Sequence, residues 1–277
     1  MLTKWIFFGY DKQALIKNAR FPICVLPSAD DVYHRCASDM LEVIIENNAH
    51  GEPTVLVLPL GPEGQYPLFA TEVNARRISL SDVYFILMDA YIENGKDLPY
   101  SHTRSARRRA DELIFNRIDP ALAPSTEHVL HMRADDVGFV NRRLAELGKI
   151  DLCVAGIGIN GHIGFNEQVD ATPEEYLAQA HSRILALSTE TRLITAINCY
   201  HGALAEVPRF GITIGLAEMM RAKKIRVYCF RDWHNACIKR AACDKPSGRF
   251  PATLLQLHAD VVLYCHEAIV KPIRFQI

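Results

Sequence analysis

The sequence predicts an α/β fold, a three-layer arrangement in which a mainly parallel sheet carries helices on both faces. Three observations lead there. Strand-length apolar runs recur along the chain, segments of helical period separate them, and polar or glycine-rich turns follow several of them. Strands covered on both faces read as continuous apolar stretches, and their alternation with helices is the pattern of a doubly wound sheet.

In chain order, Ser28 and the acidic pair Asp30-Asp31 offer capping groups for a helix over 29–46. The run Thr54-Val55-Leu56-Val57-Leu58-Pro59 predicts a strand, closed by Gly61-Pro62-Glu63-Gly64, and a helix follows over 66–76. Val83-Tyr84-Phe85-Ile86-Leu87-Met88 predicts the next strand, with helices over 104–118 and 134–147 beyond it. Strands at 150–156, 212–214, 225–230 and 261–265 complete the sheet, joined by helices at 218–222 and 234–242. The 277 residues contain no repeat, low-complexity tract or Gly/Ser/Pro-rich linker, so residues 1–277 are expected to form a single domain.

Composition narrows the function classes. Hydrophobic residues make up 49% and charged residues 23%, which excludes wholesale disorder. With 31 basic residues against 32 acidic ones the chain has no global field for a polyanion, so no nucleic-acid partner is expected. No apolar run approaches the roughly 20 residues of a membrane span, and the apolar start at residues 1–8 lacks the length and cleavage site of a signal peptide. Eight scattered cysteines without a Cys-x-x-Cys pair fit a reducing, cytoplasmic setting better than disulfides or a zinc site.

In sheets of this kind ligands bind beyond the carboxyl ends of the strands. Three polar clusters fall there: 61–66, 89–91 and 156–167. The densest is Gly156-Ile157-Gly158-Ile159-Asn160-Gly161-His162-Ile163-Gly164-Phe165-Asn166-Glu167. Its glycines let the backbone turn sharply and approach a ligand, and Gly158 and Gly161 are candidate substrate-binding positions. His162 suits proton transfer near neutral pH, with Glu167 available to orient its ring. Spacing alone leaves open a glycine-rich turn whose histidine only bonds the backbone, and for Asp89 the competing reading is a helix-capping or turn aspartate after a strand.

The run resembles the signature of the glucosamine-6-phosphate deaminase/isomerase family, Gly-x-Gly-x-[Asn/Asp]-Gly-His-Ile-[Gly/Ala]-Phe-Asn-Glu. The related 6-phosphogluconolactonases share the Gly-His but not the Phe-Asn-Glu. Weaker agreement runs in order from Val55 to Cys265, through Met88-Asp89-x-Tyr91, Thr191-Arg192, Val207-Pro208-Arg209 and Leu255-Gln256-Leu257-His258, while residues 1–50 match little. The resemblance implies a Rossmann-like α/β fold and an aldose–ketose isomerisation with loss of ammonia, using neither metal nor organic cofactor. It assigns Asp89 as the base that moves a proton between C2 and C1 of the open-chain sugar, and His162 as the group that assists ring opening. Glu167 would hold the imidazole, Asn160 would hydrogen-bond near it, and Tyr91 would pack. The implied partner is a small sugar or sugar phosphate, and the implied assembly a homo-oligomer.

The phosphate end departs from that pattern. Where the family has a Leu-Pro-Thr-Gly-Gly-Thr-Pro loop, this chain has Leu58-Pro59-Leu60-Gly61-Pro62-Glu63-Gly64-Gln65-Tyr66. Both hydroxyls are lost, Pro62 removes an N–H, and Glu63 adds a negative charge. Ile197 and His234 stand where the resemblance puts a phosphate-binding arginine and lysine. Either new donors take the phosphate, with Arg231 and His234 or the Arg104, Arg107, Arg108 face as candidates, or the substrate lacks a phosphate. In the latter case Glu63, Gln65 and Tyr66 would bind a hydroxyl or amine, with Gly61 and Gly64 as the substrate-binding glycines of the loop. For the arginine run a solvated, ion-paired helix face is the competing reading, since Asp111 and Glu112 follow at once. The alternatives in function are an isomerase of an unphosphorylated sugar, a sugar-lactone hydrolase and a non-catalytic sugar sensor.

Overall fold

The computed structural model describes residues 6–274; of the apolar start, residues 1–5 lie outside them. Helix α1 (Lys12–Asn18) precedes strand β1 (Ile23–Leu26), helix α2 (Ala29–His50), strand β2 (Thr54–Leu58) and helix α3 (Gln65–Ala75). Strand β3 (Val83–Leu87) leads into β4 (Asp89–Glu93) and β5 (Lys96–Asp97), then α4 (Ala106–Leu113), β6 (Val129–His131) and α5 (Phe139–Leu147). Next come β7 (Leu152–Ala155), α6 (Pro173–Gln179), β8 (Arg183–Ala186), α7 (Thr189–Cys199) and β9 (Phe210–Thr213). Helix α8 (Leu216–Met219), β10 (Lys224–Tyr228), α9 (His234–Cys243) and β11 (Val261–His266) complete the order.

Seven strands form a wholly parallel sheet in the order β1-β11-β10-β7-β2-β3-β6. Alternate side chains supply opposite cores. Val55 and Val57 of β2 join Cys153 and Ala155 of β7 on one face, while Leu56, Leu58, Leu152 and Val154 join the other. That two-sided burial is why these strands read as unbroken apolar runs. The strand order reverses between β2 and β7, so the crevice at this switch point opens between the loops that follow those two strands.

The expected elements are present, with shifted bounds and one misplacement. The segment at 212–214 belongs to β9 in a second, antiparallel sheet, β5-β4-β9-β8, and not to the main sheet. The chain crosses from one sheet to the other at Met88, whose N–H donates to Leu58 O at 2.8 Å and whose carbonyl accepts from Ile214 N at 2.9 Å. Asp89 therefore heads β4 at the seam of the two sheets. The expected helix over 104–118 is shorter, α4 giving way at Ile114 to a 3-10 turn, Phe115–Arg117. Residues 134–138 form turns that bring Gly138 to the start of α5. Helix α2 runs to His50, opened by the reciprocal Ser28–Asp31 capping box and closed by left-handed Gly51. No helix among the described residues is long and apolar enough to cross a membrane.

At the opposite end of the sheet from the crevice, Asp151 ties three strands together. Its carboxylate accepts from Val55 N at 2.9 Å and Lys223 Nζ at 2.8 Å, and the side chain is buried. Removing it leaves the Val55 N–H without a partner in the interior. Asp151→Ala is expected to lower the urea-unfolding free energy by about 1–3 kcal/mol, with the native fold retained in the circular dichroism spectrum.

Candidate active site

The turn after β7 is built by its own backbone. Gly158 N donates to His162 O at 2.8 Å and Gly161 N to Gly158 O at 2.9 Å, which folds the His162 ring over Gly158. A Cβ on Gly158 would lie 2.0 Å from that ring, so no larger residue fits. Gly161 takes a φ of +85° with the Phe250 ring 2.5 Å from where its Cβ would stand. Both positions demand glycine.

Hydrogen bonding fixes the imidazole. Glu167, a buried carboxylate, accepts from Asn160 Nδ2 at 2.7 Å and from Ser188 N at 3.1 Å. That orients the Asn160 amide, whose Oδ1 faces His162 Nδ1 at 2.7 Å and also accepts the His162 backbone N–H at 3.3 Å. An amide oxygen only accepts, so Nδ1 carries the proton and Nε2 keeps its lone pair. Burial holds the His162 pKa below the ordinary histidine value, with the Glu167 charge pulling the other way. Glu167 reaches the imidazole by way of the Asn160 amide. Its carboxylate stands 3.9 Å from Nδ1 itself.

His162 lines a cavity of about 190 Å³ at the switch point, shared with Asp89, Gly61, Gly158 and Arg231. Asp89 is partly buried at its edge, and its carboxyl makes no hydrogen bond to any described residue. Burial pushes its pKa up to about 7, against a downward pull from Arg104. The cavity thus brings together a desolvated carboxyl and an imidazole with a free Nε2. Among the described residues no three His, Cys, Asp or Glu side chains converge as metal ligands would.

Several expected binding residues lie elsewhere. Gly64, Gln65 and Tyr66 do not line the cavity. Tyr66 is fully buried with its hydroxyl on Pro59 O, Gln65 donates to Pro62 O at 2.9 Å, and Gly64 backs onto the Tyr33 ring. They hold the loop that Gly61 exposes. Gly161 likewise shapes the turn from behind. His234 lines the cavity but has no donor to offer. Its Nδ1 accepts from Phe230 N and Arg231 N, at 3.1 and 2.9 Å, so Nε2 is the protonated nitrogen and donates to Ile157 O at 3.1 Å. Burial and the Arg231 charge drive its pKa down to about 3, so it stays neutral. Ile197, in the family's arginine position, is 61% exposed.

Other residues of the site escaped sequence reasoning. Ser188 caps α7 and accepts from Asn160 Nδ2 at 3.0 Å, and Thr191 Oγ1 lies 3.1 Å from His162 Nδ1. Their signal was the capping pattern Ser188-Thr189-Glu190-Thr191. Tyr91 packs on Phe165 as expected, with ring centres 5.2 Å apart, but also lines the cavity. Within the arginine run, Arg107 and Arg108 pair with Asp111 and Glu112 at 3.2 and 2.7 Å, as a solvated face would. Arg104 and Arg109 instead turn into the cavity wall.

No family model matches the chain. Among curated proteins, the glucosamine-6-phosphate deaminase of Clostridium perfringens is 31% identical over 256 residues, spanning 90% of this chain and 98% of that protein. That of Rhodopirellula baltica is 30% identical over 247 residues, spanning 88% and 92%. Among solved structures, a monomeric glucosamine-6-phosphate deaminase matches with a TM-score of 0.79 at 21% identity, over 90% of this chain and 98% of that one. The 6-phosphogluconolactonase of Trypanosoma brucei matches with a TM-score of 0.65 at 15% identity, over 91% and 98%. The two structural likenesses bear on the fold alone.

The Asp89 carboxyl has a stability signature. The native state keeps its proton up to about pH 7, whereas the unfolded chain releases it near pH 4. Native stability therefore falls as pH rises through that window and stays reduced above it. Asp89→Asn is expected to melt higher than the parent at pH 8, with the gap closing as pH falls from 7 to 4. A constant gap in Tm across that range would contradict the desolvated carboxyl.

Proposed function

The chain belongs to the glucosamine-6-phosphate deaminase family, and from that premise we propose that it is an amino-sugar-phosphate deaminase and aldose–ketose isomerase. The observation that carries the proposal is the sharing of one cavity by Asp89 and His162, each with its reacting atom unpartnered. Support for placing the reaction in the cytoplasm comes from the eight cysteines, all of them unpaired thiols.

The chemistry follows from the protonation states. His162 Nε2, held as an acceptor, takes the proton of the anomeric hydroxyl and returns it to the ring oxygen, opening the sugar. Asp89, ionised at or above its raised pKa, removes the C2 hydrogen as a proton, and the C2–H electron pair forms a C1–C2 double bond. The C1=O π pair moves onto O1, which takes up a proton from the C2 ammonium group. The same carboxyl then delivers the proton to C1, leaving an imine at C2. Water adds there and ammonia leaves, so that amino aldose and water become ketose and ammonia. A carboxyl with a pKa near 7 suits both halves, being basic enough to take the proton and acidic enough to return it. Glu167 and Asn160 are positioning residues, since they act through the imidazole. The far end of the substrate is bound by groups other than the loop hydroxyls, arginine and lysine of the family pattern.

Purified protein is expected to release ammonia from glucosamine 6-phosphate in step with ketose. Asp89→Asn and His162→Gln should each lower kcat by about 10²–10⁴-fold. In the parent, kcat/KM should climb with pH and level off above about 7 as Asp89 loses its proton. Release of a sugar acid without ammonia would overturn the proposal, as would Asp89→Asn turning over at the parental rate.

A further inference from the structure

The cavity wall beside the β2 loop carries more positive charge than its surroundings use. Arg104 and Arg109 converge on a single carboxylate, Glu63. Arg109 Nη2 contacts it directly, and Arg104 Nη1 lies 3.8 Å from the same oxygen. Both guanidinium side chains are withdrawn from water, at 13% and 14% exposure, yet Nε of each is buried without a hydrogen-bond partner. Their neighbours Arg107 and Arg108 each have a carboxylate of their own, four residues on along α4. Two largely shielded cations sharing one anion, with donors left over, is a costly arrangement unless a further anion completes it. Glu63, at 38% exposure, is the member of the trio with access to solvent.

We propose that Arg104 and Arg109 form the anion subsite of this enzyme and receive the terminal phosphate of the substrate. Glu63 is its resident occupant, displaced toward solvent when the dianion enters. The identity of the sugar rests on the deaminase reading above; the anion subsite stands on its own geometry. A phosphate is the better occupant than a second carboxylate. Glu63 already presents a carboxylate to the pair and leaves both Nε groups unserved, whereas a phosphate brings three oxygens and a charge near −2. Arg231, whose Nη1 donates to Asn198 Oδ1 at 3.1 Å, lines the same cavity and adds to the field. The hydroxyls and basic residues missing from the family's positions are thus replaced from a different part of the chain, the segment that follows β5. The carboxylate that looked prohibitive in the sequence becomes a displaceable counter-ion.

Calorimetric titration with inorganic phosphate reads the subsite without turnover. The parent should bind, Arg104→Met and Arg109→Met should each weaken binding by about 10-fold or more, and Arg109→Lys by less. Glu63→Gln, at a half-exposed loop position and close to isosteric, should tighten binding several-fold. The KM for glucosamine 6-phosphate should move in the same directions. Phosphate affinity unchanged in both methionine variants, or weakened in Glu63→Gln, would overturn the subsite. So would a sugar 6-carboxylate outcompeting phosphate. The two proposals separate cleanly. Arginine-dependent phosphate binding without ammonia release supports the subsite and removes the deaminase reading; ammonia release with a KM indifferent to Arg104 and Arg109 does the reverse.

Discussion

The amide of Asn160 is the joint on which the site turns. It is gripped by the Glu167 carboxylate on one side and presents its oxygen to His162 on the other, so direction passes from an acid that only accepts to an imidazole that must donate. The grip requires that the ring fold over Gly158, and hence that nothing but glycine stand there. It requires too that Ser188, at the start of α7, meet both the amide and the carboxylate. Asn166, four residues past His162, anchors the far side of the same turn to the second sheet through Ile214 O and Leu216 N. One short segment thereby locks β7, α7 and the end of β9 around a ring whose free nitrogen serves the cavity.

The second constraint is electrostatic. Asp89 sits where the main sheet hands the chain to the antiparallel one, a seam that keeps it short of water and of hydrogen bonds. Its raised pKa is a cost in stability that makes the carboxyl a usable base. Arg104 lies close enough to oppose that rise and belongs to the wall that would take the phosphate. A bound dianion would offset the Arg104 charge and so favour the protonated carboxyl. On that proposal substrate binding and base strength are tied through one guanidinium.

Much of this was legible in the residues. The central strands announce themselves because burial on both faces leaves no polar alternation, and the twelve-residue run after β7 carries the imidazole and its supports in register. Edge strands did not show. Strands β1 and β6 have four and three residues, too short for a run, and the antiparallel sheet joins the β4-β5 hairpin to β8 and β9, about ninety or more residues further on. Helix α7 is opened by Ser188, but its sequence carries little apolar periodicity to announce it. Position proved a better guide than role. His234 falls beside the cavity as the alignment places it, but its ring nitrogens are spent on backbone groups. Tyr66 and Gln65 follow a binding loop yet face inward, since α3 must bury its first turn. Neighbouring arginines on one short helix part ways, with Arg107 and Arg108 in solvent pairs and Arg109 in the cavity wall. Helical spacing gives their relative angles but not which angle meets a cavity.

The central claim is that one shielded carboxyl carries the hydrogen from C2 to C1 before nitrogen leaves. Glucosamine 6-phosphate bearing deuterium at C2, followed by NMR of the product, tests it most directly. The account predicts ketose with part of the deuterium found at C1, because a base screened from water returns some of what it takes. Ammonia released while the deuterium stays on C2 would contradict it, since nitrogen would then have left without isomerisation.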